Sequence, residues 1–394
     1  MWRDHSLASE LAPCYTVRMQ DAPPLAVTQL LGPSTGGIRA HVGELARRLG
    51  RRGWSVAVVG PGHVMDGAGE QHGVVAVPTS WNPVALLRAR RQLRVQLAAR
   101  PANIIHAHGL KAALVVLTLR RGRRPPMVLT VHNLVTGTRH RIAARALSVV
   151  ERGIIRGADH VVVISDEIDQ RLAGLLPAGR RSFVLPVSPT RHVGRTRAQV
   201  REEYGIADGA PMVTIVARHH LQKDLPMFLR AFGEVVAALP AARAVMVGDG
   251  PERRALEAER DRLGLATSVI IAGHRPNPID EMNAADVVGL SSRWEGSPLA
   301  VAECLSLGRP LVTTAVGTVT RHLTDGVDAR VVAVGDHHAF GRALLDVLLD
   351  AHAAEAMGRA GQRVAMTIFD AEHLVDGVEA IYHDVVAPGA TPRS

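Results

Sequence analysis

Among its 394 residues the chain has only two cysteines, Cys14 and Cys304. Two cysteines cannot build a disulfide framework, and their spacing is not that of a metal site, so a reducing cytoplasm is the expected setting. Aromatic residues make up only 3%. Stacking platforms for unpaired bases are therefore scarce, and no groove-reading motif is present. Specific nucleic-acid binding is not expected, although the formal net charge of +9 leaves room for a nucleotide or an anionic lipid surface. No apolar run approaches the roughly 18 residues of a membrane span. Residues 1–20 also lack the apolar stretch of a secretion signal. Lysine is nearly missing, because of 46 basic residues only Lys111 and Lys223 are lysines. That bias looks like a coding habit, so a lysine that persists against it draws notice.

What is present describes a globular protein, with 47% hydrophobic and 21% charged residues. The length exceeds what one ordinary core needs and points to two domains. PLAVTQLL (24–31) reads as a buried strand, GPSTGG (32–37) as a turn, and the next segment as a helix with Ile38, Val42, Leu45 and Leu49 on one face. WSVAVVG (54–60), NIIHAHG (103–109), MVLTVHN (127–133) and HVVVISD (160–166) continue the β-α-β rhythm of a parallel sheet covered by helices. A second series starts after the arginine-rich segment 189–203, with strands near 211–218, 242–250, 268–273, 286–292, 310–317 and 329–336. The expected fold is α/β, two doubly wound Rossmann-like domains whose parallel sheets face a central cleft. The expected divisions are 1–188, 189–370 and a final segment 371–394. Ligands bind beyond the carboxyl ends of such strands.

The motifs follow from that placement. GPSTGG suits either a tight turn or a phosphate cradle, in which Gly36 and Gly37 let the backbone approach an anion at a helix start. GDGPE (248–252) reads as a strand-to-helix turn with Pro251 at the helix start. ARHHLQKD (217–224) leaves a strand end and carries Arg218 and Lys223, cations suited to a diphosphate. His106, His108 and His132 sit at neighbouring strand ends and suggest a polar pocket on the acceptor side, with His132-Asn133 as the pair nearest a reacting group. In SRWEGSPLAVAEC (292–304), Glu295 falls in a loop and Glu303 inside the following helix, which Pro298 is expected to open. One carboxylate can hold sugar hydroxyls and the other a ribose, while Gly296, Ser297 and the helix start at Leu299 offer N–H groups to phosphates between them. Segment 83–100 reads as a helix with Leu86, Leu93 and Leu97 on one stripe and Arg88, Arg90, Arg91 and Arg94 on nearby faces. It is either an ordinary sheet-covering helix or a basic face for anionic lipid.

The block AADVVGLSSRWEGSPLAVAECLSLGRPLVTT resembles that of the family 4 retaining glycosyltransferases, which have the GT-B fold. The supporting pieces occur in that family's order, over roughly residues 25–385. The resemblance implies transfer of a sugar from a nucleoside-diphosphate-sugar donor to an acceptor hydroxyl, with retention. It implies Glu295 on the transferred sugar, Glu303 on the ribose, Arg218 and Lys223 on the diphosphate, Gly37 near the phosphates and His132 near the reacting sugar. No Asp-x-Asp occurs, and neither metal nor cofactor is expected. A nucleotide-sugar epimerase and a non-catalytic anion-binding protein are the alternatives. The chain departs from the family pattern at Thr318 and Arg321, where glycine and glutamate are common, at Ala217 and Asp224, which replace glycines, at Val187-Ser188, and at Ala329.

Overall fold

The apolar runs bury as strands because helices cover both faces of each parallel sheet, so no face is left for polar alternation. In the computed structural model, residues 25–33, 36–62, 72–80, 82–132, 141–188 and 191–387 are described, with backbone alone for 141–147. The first half contains β1 (Ala26–Leu31), β2 (Ser55–Gly60), β3 (His72–Val74), β4 (Ile104–His108), β5 (Met127–Val131), β6 (His160–Val163) and β7 (Arg181–Phe183). They form one sheet in the order β3-β2-β1-β4-β5-β6-β7, every pairing parallel. The second half contains β8 (Met212–Val216), β9 (Arg243–Val247), β10 (Val269–Gly273), β11 (Val287–Leu290), β12 (Leu311–Thr314) and β13 (Arg330–Val332). Their order is β10-β9-β8-β11-β12-β13, again all parallel. Strand order reverses between β1 and β4 and between β8 and β11, and the loops leaving those strands open a crevice.

Most elements fall where the apolar pattern puts them. The first helix spans Gly37–Arg51, with Val42, Leu45 and Leu49 buried and Ile38 packed beside them. The edge strands β3 and β7 were not expected, because three residues make no readable apolar run. Two helices begin later than expected, at Arg253 and Leu299. Pro298 precedes its helix because its ψ of 113° is extended, so helical bonding starts at the next residue.

The last helix, Ala371–Val386, returns to the first sheet's helices. Arg52 pairs there with Glu372, with Asp376 at 2.6 Å and with Glu379, which also accepts from the Trp54 indole. Leu374, Val378, Ile381 and Tyr382 enter an apolar cluster that includes Leu45 and Leu49 from the first half and Leu305 and Ala365 from the second. One core therefore runs through both halves and the final helix.

His41, His106, His108 and His132 are all buried in the first half. Burial lowers His41 from 6.5 to about 4 and His132 to about 3, and holds His106 and His108 well below the ordinary range. They fold neutral and must charge on unfolding in acid. Their contribution is fully present above pH 6.5 and is lost as pH falls toward the folded values. Urea unfolding should therefore show stability falling between pH 6.5 and 5, above the carboxylate range, by up to about 1.4 kcal/mol per pH unit for each histidine. A flat profile across that window would contradict neutral burial of the four.

Candidate functional site

The loops that leave β1, β5, β8 and β11 converge on one cleft of about 660 Å³ between the two sheets. On the first side, Gly36 has φ +77°, a backbone that favours glycine. The helix it precedes has no side-chain cap, so its first N–H groups face the cleft mouth unclaimed by a capping side chain. Gly37 lies against the second domain, where a Cβ would stand 3.5 Å from Leu299 Cδ1. His41, one turn further along the helix, also lines the cleft. Its Nδ1 accepts from the Val187 N–H at 2.8 Å, which puts its proton on Nε2. His132 follows β5 and lines the same wall, with its ring edge-on to His41 at 5.9 Å.

On the second side, the turn Leu221–Lys223 follows β8 and carries the lysine inward. Lys223 Nζ pairs with Glu295. Glu295 also accepts from Ser292 Oγ at 2.7 Å and from Gln222 Nε2 at 3.2 Å. Arg218 is exposed in the cleft and makes no ion pair among the described residues. Asp224 occupies a left-handed backbone at φ +43°. Its carboxylate is buried and receives both Arg293 Nε at 2.8 Å and Nη2 at 3.0 Å, which ties the β8 loop to the β11 loop.

Gly296 explains the small residues after Glu295. A Cβ there would lie 2.7 Å from Ile164 Cδ1 and 3.0 Å from the His132 carbonyl oxygen, so only glycine allows this approach of the domains. Ser297, Pro298 and Leu299 complete the turn into the helix Leu299–Ser306. Glu303, inside that helix, is largely buried and lies 3.3 Å from Arg191 Nε. Burial raises its pKa, and Arg191 opposes the rise. Arg191 also donates to the Pro276 carbonyl at 2.8 Å across the cleft end.

The structure therefore brings Gly36, Gly37, His132, Arg218, Lys223, Glu295, Gly296, Ser297, Pro298, Leu299 and Glu303 to one cleft. It does not bring His106 and His108 there. Both lie beneath the wall, because β4 is a central strand buried on both faces, and they bond to other buried side chains. Their placement corrects the expectation that these two face the cleft, whereas His132 of the same group does line it. Asn133 lies outside the described residues. The sequence reading missed His41, Gln222, Ser292 and Arg191. Helical spacing from Gly37 was the available signal for His41, whereas Arg191 is one arginine in an arginine-rich segment. The GDGPE segment stays a turn, with Gly250 packed so that a Cβ would meet the His219 carbonyl at 2.4 Å.

Arg321, where an acid is common in the resembled family, reaches across to the first domain. It pairs with Asp166 of the first domain and sets its guanidinium carbon 4.6 Å from the Phe183 ring centre.

Comparison with known proteins bears on the whole arrangement. Residues 36–188 match the Glycosyl transferase 4-like domain, and residues 196–364 match Glycosyl transferases group 1. D-inositol 3-phosphate glycosyltransferase of Geodermatophilus obscurus is 27% identical over 385 residues, covering 88% of this chain and 84% of that protein. The GDP-mannose-dependent alpha-(1-6)-phosphatidylinositol monomannoside mannosyltransferase of Mycolicibacterium smegmatis is 28% identical, covering 87% and 93%. Among solved structures, sucrose-phosphate synthase from Thermosynechococcus elongatus superposes with a TM-score of 0.78 at 20% identity, over 91% of this chain and 99% of that one. Anabaena HepE in complex with UDP-glucose gives 0.78 at 18% identity, over 91% and 100%. With both halves matched in sequence and the two-sheet architecture matched in fold, this chain belongs to the group 1 glycosyltransferases, the family 4 retaining enzymes of GT-B fold.

Proposed function

We propose that the cleft binds a nucleoside-diphosphate sugar and passes the sugar to an acceptor hydroxyl on the first-domain side. In this reading residues 1–188 form the acceptor-side domain, 189–370 the donor domain, and 371–394 the segment that crosses back. The observation that carries the reading is the charge arrangement. Lys223 and Arg218 stand beside two uncapped helix starts, while Glu295 opens and Glu303 lies inside the same turn-helix unit. Diphosphate oxygens fit between them, with Lys223 and Arg218 as donors. Glu303 then accepts from ribose hydroxyls and Glu295 from the sugar.

Departure of the diphosphate places charge on its oxygens as the sugar C1–O bond breaks. Fixed cations and N–H groups aimed there stabilise that charge, each by a few kcal/mol. Retention brings the acceptor oxygen to the face the diphosphate leaves, so the departing oxygen is the nearest base for the acceptor proton. Neutral His132 contributes hydrogen bonding and no charge. D-inositol 3-phosphate and phosphatidylinositol mannoside enzymes are among the similar proteins, which favours transfer over epimerisation or simple anion binding. HepE, similar in fold, was solved with UDP-glucose, which supports a nucleotide-sugar donor here.

Among the described residues no helix is long and apolar enough to cross a membrane. The helix Pro83–Ala99 instead turns Ala89 and Leu93 inward and leaves Val84, Leu87 and Val95 70%, 60% and 58% exposed. Arg88, Arg91 and Arg94 are exposed on the same helix, while Arg90 is half-buried. Apolar side chains set among arginines suit anionic headgroups. We infer a cytoplasmic enzyme that docks peripherally on the inner membrane face to meet a lipid-linked acceptor.

A panel of nucleotide sugars, read by released diphosphate, identifies the donor, and no release from any would defeat the reading. Glu295→Ala and Glu303→Ala should each lower turnover or donor affinity about ten- to a hundredfold with the fold retained. Normal kinetics in both would remove the carboxylates from the site. Lys223→Ala should weaken nucleoside diphosphate binding by calorimetry more than nucleoside binding, and equal losses would reduce Lys223 to a structural partner of Glu295. Vesicle co-sedimentation should show salt-sensitive preference for anionic lipid, lost when Arg88, Arg91 and Arg94 become glutamine. No preference for anionic vesicles, or a preference unchanged by the substitutions, would defeat this docking surface, and no vesicle binding at all would point to a soluble acceptor.

A further inference from the structure

Beneath His132 runs one continuous chain of buried hydrogen bonds that the proposed transfer does not use. His132 Nε2 lies 3.3 Å from His108 Nδ1, and His108 Nε2 lies 2.7 Å from Gln29 Oε1. Gln29 Nε2 donates to the Tyr382 hydroxyl at 2.9 Å. That hydroxyl is 2.6 Å from His106 Nδ1, and His106 Nε2 is 2.7 Å from Thr130 Oγ1. All of these side chains are buried, so a missing partner is not replaced by bulk water.

The orientation of the Gln29 amide, oxygen toward His108 and nitrogen toward Tyr382, gives the chain its direction. A neutral imidazole carries one N–H and one lone pair, and an amide has one donor end and one acceptor end. With the Gln29 oxygen toward His108, His108 must hold its proton on Nε2, and its Nδ1 must accept. His132, which lines the cleft, must then carry its proton on Nε2, which leaves the lone pair on Nδ1. On the other side the Gln29 amide donates to Tyr382, so the tyrosine proton points to His106 Nδ1 and His106 donates to Thr130. Every link runs the same way. Rotating the Gln29 amide would reverse all five together and leave an N–H on His132 Nδ1, and no mixed arrangement satisfies the chain.

We propose that Gln29 and Tyr382 are positioning residues that set the tautomer of His132, so that its Nδ1 accepts a hydrogen bond from a hydroxyl of the bound sugar or acceptor. This rests on the reading of the cleft given above. It also gives the last helix, through Tyr382, a role in the active site that its surface contacts do not reveal.

Nitrogen-15 NMR of the unliganded, histidine-labelled protein reads the tautomers directly. His132, His108 and His106 should all appear as neutral Nε2–H forms. His132 found as Nδ1–H, or as an even mixture, would overturn the proposal. Tyr382→Phe keeps the ring in the core and removes the hydroxyl link, and Gln29→Met replaces the amide should the first variant fold poorly. Each should convert His132 to a tautomer mixture and lower kcat about three- to tenfold, with the donor KM within about twofold of the parent. An unchanged His132 tautomer with unchanged kcat in both variants would reduce the chain to packing. Should the wild-type tautomers be as stated while His132→Ala leaves kcat intact, the reading of the cleft fails and the tautomer assignment stands.

Discussion

The site depends on one close approach, the seating of Gly296 against Ile164 and the His132 carbonyl. A side chain at that position would wedge the β11 loop away from the first domain. The consequence would spread, because the same loop carries Glu295 and leads into the helix that carries Glu303. The contact also fixes how far Gly37 and His132 stand from Lys223. Its influence comes from sterics, which act over tenths of an ångström and admit no substitute for glycine.

Electrostatics then set what the cleft prefers. The carboxylates are not bare in the unliganded protein, since Lys223 covers Glu295 and Arg191 covers Glu303. Each pair keeps a largely buried charge from standing alone, which would be costly. In the proposed reading, a diphosphate that takes Lys223 would free Glu295 for a hydroxyl, so that ligand and side chains exchange partners and no charge is stranded. Arg218, without an ion-pair partner among the described residues, keeps the cleft attractive to anions. The Asp224–Arg293 pair holds the lysine loop in shape although Asp224 stands at a φ that favours glycine. Two departures from the family pattern are thus tied into structure, Asp224 by Arg293 and Arg321 by Asp166 and Phe183.

The first domain's polar interior has a different logic. Four histidines stay neutral because burial penalises their charged form. Neutral rings can link into directional chains, whereas charged ones would repel. The last helix closes this interior with Tyr382, while Arg52 and Trp54 anchor its buried Glu379.

Period and order made the two sheets, the first helix, the Lys223 and Glu295 loops and the helix of Glu303 legible, because short apolar runs ending in glycine and charge carry their own local signal. The block from Ala284 to Thr314 and the pieces in order before it carried the family. Other features were not legible. His106 and His108 looked like site residues because strand ends in a sequence do not reveal depth; the central place of β4 buries them. Arg191 was hidden among arginines, and its role is set by a neighbour 112 positions later in the chain, Glu303. The direction of the chain from His132 to Thr130 joins residues from β1, β4, β5 and the last helix. Local sequence determined which segments are strand, turn and helix, because those choices depend on near neighbours. Only the tertiary structure decided which polar groups meet, because hydrogen bonds act over about 3 Å and the chain brings such partners together only by folding.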